Sequence, residues 1–146
     1  MIPAEDTSPA APAVSVRRAR RDDLSFVAWC NLEASSPAPG FCYWDPLLEG
    51  TGTSTPAFVE AVFGADALAW GRVEELFIVE EEGVPVAGGS GFMVDAHDYR
   101  PLHLGRLPVV AQTLEWSEAT LETFQARYEQ VWPDPLEPTL APHAPC

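Results

Sequence analysis

The chain has 146 residues, 47% of them hydrophobic, which is the size and composition of one globular domain with a core of its own. Its 22 acidic side chains against 8 basic ones give a formal charge of -14, a field that repels nucleic acid and anionic membrane surfaces and attracts cations and amines. No apolar run approaches the roughly eighteen residues that a membrane span needs, and residues 1–14 lack the basic start and apolar stretch of a signal peptide, so the expected location is cytoplasmic.

Residues 1–12 are small, polar and Pro-rich and are expected as a disordered lead-in, with 13–146 forming a single domain. Val14 and Val16 alternate with polar neighbours through Arg17, which predicts a short half-buried strand. Asp22 and Asp23 place negative charge where a helix N-terminus favours it. Leu24, Val27, Ala28, Asn31 and Ala34 follow at helical spacing, so a helix is expected to about Ser35. SSPAPG is a loop, and FCYWDPLLEGTGTS after it is aromatic at first and Gly-rich at its end. Thr55 before Pro56 reads as a cap and a first-turn proline. They open a second helix to about Gly64 with Phe58, Val59, Val62 and Phe63 on its apolar face.

LFIVEEEGVPVAGGSGFMV predicts a hairpin whose runs, 76–80 and 84–94, meet at a turn containing Gly83. Gly88, Gly89 and Gly91 mark a bulge or a close backbone approach in the second run. A short helix is expected over 107–114. Ser117 opens a longer one, with Leu121, Phe124, Tyr128, Val131 and Trp132 on one face and Pro133 as its stop. Residues 133–146 hold too many prolines for helix or central strand and read as an extended tail. The fold class is α/β, with a mixed, mostly antiparallel sheet of about three strands and three or four helices. The expected core includes Val16, Leu24, Val27, Phe58, Val62, Phe77, Val79, Val86, Phe92, Phe124 and Tyr128.

The chemistry-bearing residues are scattered. Cys30, Cys42 and Cys146 are odd in number and have no CxxC spacing, so they are expected as reduced thiols, Cys30 as a small buried hydrophobe. His97, His103 and His143 lack metal-ligand spacing, and Asp95, His97 and Asp98 read as a polar turn, so no metal site is expected. GGSG at 88–91 is neither a dinucleotide fingerprint nor a phosphate loop and lies inside a strand. Glu80, Glu81 and Glu82 form a solvated acidic run that discourages edge pairing. Phe41, Tyr43, Trp44 and Asp45 gather aromatics and a carboxylate in one loop, which either lines a cleft or folds over the core. Glu74 and Glu75 enter the strand after them. No Ser/His/Asp or Cys/His set has a recognisable local context, and no catalytic residue is identified.

VSVRRARRDDL looks like the opening strand and first turn of the GNAT acetyltransferases, FIVEEEGVPVAGGSGF resembles their second and third strands, and ARYEQVWPDPLEPTLAPHAP is similar to an insert in a subset of them. The similarity runs over about residues 14–145. It implies the front half of that fold, in a chain that ends before the Arg/Gln-x-x-Gly-x-Gly/Ala loop whose backbone amides hold the coenzyme A pyrophosphate. The activity implied is acetyl transfer from acetyl-CoA to an amine, by a truncated chain that binds no cofactor and is inactive alone. Tyr43, Trp44, Asp45, Glu74 and Glu75 are then candidates for contacting an amine or cationic acceptor, since an acidic, aromatic-lined cleft suits a cation. A complementing C-terminal polypeptide would restore the reaction. The alternative is a non-catalytic interaction module that self-associates or pairs through an exposed sheet edge.

Overall fold

The computed structural model describes residues 11–91 and 100–134. Most of the lead-in, Phe92 and the end of the second hairpin run, the turn with Asp95, His97 and Asp98, and the tail with His143 and Cys146 lie outside the described residues.

The β-rich runs form β1 (Val14–Arg18), β2 (Phe77–Glu81) and β3 (Val84–Gly89), a sheet of order β1-β2-β3 in which both pairings are antiparallel. β2 and β3 are joined by Glu82 and Gly83 at φ 53° and 76°, the pair of left-handed residues whose twist matches a two-residue hairpin. The predicted irregularity in the second run is a bulge. Val79 pairs with Ala87 and Glu80 with Pro85, leaving Val86 without an opposite residue.

Five helices are present among the described residues, more than the three or four expected: α1 (Leu24–Ala34), α2 (Asp45–Leu48), α3 (Thr55–Gly64), α4 (Leu107–Thr113) and α5 (Glu118–Val131). The extra one is α2, a single turn that buries Leu47 and Leu48 within the aromatic loop. Ser117 caps α5 as expected, its hydroxyl accepting from the Thr120 N–H at 3.2 Å. At α3 the cap is Ser54 and not Thr55. Ser54 keeps extended backbone and accepts from the Ala57 N–H at 3.3 Å, while Thr55 is already helical and donates its hydroxyl to Asp45. Glu74 and Glu75 do not enter a strand either. They belong to a 3-10 turn, Val73–Glu75, that precedes β2.

Among the described residues the sheet has one covered face and one bare face. Ile78 points inward and is fully buried against the layer built by α1 and α3, and Gly88 of β3 faces the same way, against Cys30 and Phe26 of α1. Val16, Phe77 and Val86, expected in the core, lie on the open side, with Val79 only partly buried. The period-2 pattern was right, but period alone does not say which face the helices cover, and an offset of one residue exchanges the two. Leu24 is half-buried at the start of α1, whereas Val27, Phe58, Val62, Phe124 and Tyr128 are buried as expected.

Behind the helices an aromatic column joins α3 to α5. Phe58 stacks on Trp116 at 6.3 Å and meets Phe124 at 5.2 Å, and Tyr128 meets Trp132 at 5.1 Å. The Tyr128 hydroxyl enters the loop before α4, where it accepts from the buried Leu102 N–H at 2.9 Å and donates to the Leu102 carbonyl at 3.4 Å. That loop is held a second time by main-chain bonds, from the His103 N–H to the Ala67 carbonyl at 2.7 Å and from the Ala69 N–H to the Pro101 carbonyl at 2.8 Å. No helix among the described residues is long and apolar enough to cross a membrane.

Candidate functional site

The acceptor candidates fall into two groups, and no hydrogen bond, ion pair or ring contact joins one group to the other among the described residues. Trp44 is buried in the aromatic column, 5.5 Å from Phe58 and 6.1 Å from Trp132, and its indole N–H donates to Asn31 Oδ1 at 3.3 Å. Asp45 uses one carboxylate oxygen to accept from the Cys42 N–H at 2.9 Å and the other to hold Thr55 at the start of α3. Tyr43 is exposed and rests edge-on against Phe41 at 5.9 Å. The loop folds over the core, and of this group Tyr43 alone projects from it.

Glu74 and Glu75 are committed to arginines. Glu74 meets Arg21 Nε at 2.6 Å, and Arg21 also donates to Asp66 at 2.7 Å, so these pairs tie the turn before α1 to the turn before β2. Glu75 is paired with Arg72 three residues earlier at 3.2 Å. Exposed pairs of this kind contribute little to stability. His103 stands alone, and among the described residues no group of His, Cys, Asp and Glu is arranged to hold a metal ion.

The strongest electrostatic feature lies on the inner side of β1. Arg17 bridges Asp23, with bonds of 2.8 Å and 2.9 Å to its two oxygens, and Glu80 of β2. Hydrogen bonds from Arg17 hold the Asp23 carboxyl down to about 2, against the opposing effect of its partial burial. The guanidinium, shared between two carboxylates, is raised in turn. This bridge fixes β1 on the sheet with Arg17 inward, and the alternation then turns Val14 and Val16 outward.

The outer face is therefore apolar, and no described element covers it. Val14 and Val16 are each 64% exposed, Phe77 43%, Val84 59% and Val86 48%. Isolated exposed apolar residues are ordinary, whereas these five share one face of the sheet. At one end of this face Arg18 lies 5.1 Å above the Phe77 ring, and at the other Glu81 pairs with Val14. The outer edge of β3 is less inviting. Pro85 lacks an N–H, the bulge interrupts the ladder, and Gly88 and Gly89 supply no side chains. The sequence signal for this face was the unbroken run Phe77, Ile78, Val79, which puts apolar groups on both sides of β2.

No protein-family model, no curated protein and no solved structure matches this chain.

Proposed function

We propose that the chain is a binding module that self-associates through the outer face of its sheet. The observation that carries this reading is the row of exposed valines and Phe77 on a sheet whose other face is packed. The occupant is a second copy because the two ends of the face carry opposite charges. A two-fold axis across the strands sets the Arg18 end of one copy against the Glu81 end of the other, as a self-complementary interface requires. The patch is on the order of 400–500 Å², the scale of the largest patch on an ordinary monomer. Two such faces bury about 1,000 Å² together, the lower limit for a specific interface. The dimer is accordingly weak, with dissociation on the order of micromolar or above.

Sedimentation velocity over a wide concentration range tests this. The mass should rise from 15.9 kDa toward twice that value. Val16→Asp, at an exposed position, should abolish the rise while leaving the melting temperature unchanged. A wild-type chain that stays monomeric up to roughly millimolar concentration, well above the expected dissociation range, overturns the proposal.

A second reading draws its support from the element order. A strand, the helices α1 and α3 with the single-turn α2 between them, and an antiparallel hairpin follow one another, an order similar to the front half of the GNAT acetyltransferases. In that reading a complementing C-terminal polypeptide supplies the acetyl-CoA loop, and exposed Tyr43 is the first contact for an amine. Complementation separates the two readings. Acetyl transfer to an amine that appears only when the chain is mixed with a C-terminal polypeptide carrying the acetyl-CoA loop favours the acetyltransferase, and dimerisation with no transfer in the mixture favours the module.

A further inference from the structure

A cavity of about 180 Å³ opens between α1, the start of β2 and the end of β3. It exists because β3 is bare of side chains there. A Cβ on Gly88 would sit 3.3 Å from Cys30 Sγ and 3.8 Å from the Phe26 ring, so the glycine lets the strand lie close to α1 where any side chain would require the thiol to give by a few tenths of an ångström. Its walls are the buried Val27, Phe63, Leu68 and Leu76, with Trp70 contributing a second ring.

Three polar side chains reach the lining, and none carries a charge: Asn31, Cys30 and Ser90. Asn31 is oriented, because its Oδ1 accepts from the Trp44 indole at 3.3 Å and the Nδ2 group is left as its donor. Cys30 is not set up to react. Burial raises its pKa against the hydrogen bond that the Gly88 N–H gives its sulfur, which keeps the thiol neutral. Among the described residues no charged side chain lines this hollow, which disfavours ionic ligands, since an ion entering it gives up hydration without a counter-charge in the wall. The volume suits a single aromatic ring, because a dry apolar cavity of about 150 Å³ is enough for benzene.

We infer that this cavity is a binding site for a small neutral aromatic molecule bearing one hydrogen-bond acceptor, an aryl ketone or aryl amide, with the ring between the apolar walls and the acceptor toward Asn31. It is independent of the outer sheet face and of any amine acceptor.

The probe is acetophenone, titrated into the isotope-labelled full chain and followed by NMR, with benzylamine and benzoate as charged counterparts. Acetophenone should give saturable shifts at the amides of Gly71, Gly88 and Gly89 and the methyls of Val27 and Leu76, and the two ions should give none. Ala34→Trp, at an exposed helical position on the rim, should weaken binding by about tenfold or more by occupying the mouth. Should that variant not fold, intermolecular NOEs from the probe to the Val27 and Leu76 methyls of the wild type decide instead. Absence of saturable shifts, equal or tighter binding of benzylamine, unchanged affinity in a folded Ala34→Trp, or missing NOEs each overturns the assignment.

Discussion

Replacing Tyr128 with Phe removes one oxygen and leaves the ring where it is. The ring keeps its contacts with Phe124 at 6.4 Å and Trp132 at 5.1 Å, so little packing is lost. What changes is the buried Leu102 peptide, which loses the acceptor at 2.9 Å for its N–H and the donor at 3.4 Å for its carbonyl. Water has no ready access, since Leu102 is buried and Tyr128 is fully so. An orphaned buried N–H costs about 1–3 kcal/mol, which for a domain of this size lowers Tm by roughly 3–12 °C. Urea denaturation should show the same loss in midpoint with an unchanged slope, because the area exposed on unfolding is unaltered. Tyr128→Ala should cost about 3–5 kcal/mol, as it empties the aromatic column as well. A Tyr128→Phe loss below about 0.5 kcal/mol would refute the claim that this hydroxyl anchors the loop.

Two further outcomes rest on caps and charges. The Asp23 carboxyl titrates lower in the folded chain than unfolded, so its contribution is complete above about pH 4 and disappears as the pH falls to about 2. Denaturation midpoints between those limits should fall steeply for the wild type and less so for Asp23→Asn, and parallel curves would show that the bridge to Arg17 does not stabilise the fold. Ser54→Ala should destabilise the chain by about 1 kcal/mol and Ser54→Gly by a few tenths, whereas Thr55→Val should leave the α3 cap itself intact. Equal losses in urea for Ser54→Ala and Ser54→Gly would mean that the hydroxyl is not the cap.

The parts of the fold that were legible in the sequence are those with local causes. Ser117 and Pro133 bracket α5, Pro56 marks the first turn of α3, and Gly83 sits in a two-residue turn whose geometry demands positive φ. Each signal acts within a few residues and needs no knowledge of the rest of the chain. The side of the sheet that meets the helices has no local cause. It depends on where α1 and α3 pack and on Arg17 finding Glu80, 63 residues away. The candidate site residues show the same limit. Trp44, Asp45, Glu74 and Glu75 have the residue types of an acceptor cleft, and the structure spends each of them on an internal partner that sequence does not display. The cavity beside Gly88 was flagged only as a close backbone approach, because an empty space leaves no residue to read.

The two pairings of the sheet belong to very different moments of synthesis. β2 and β3 can pair as soon as both have left the ribosome, because two residues separate them. β1 emerges earlier, but its partner strand follows 63 residues behind, with three helices in between. At about 5–20 residues per second the leading strand waits several seconds for β2, and the long loop that its docking closes carries an entropic penalty that the hairpin avoids. Val14 and Val16 therefore emerge well before the strand that pairs with them, and the nascent chain carries them without that partner throughout the interval.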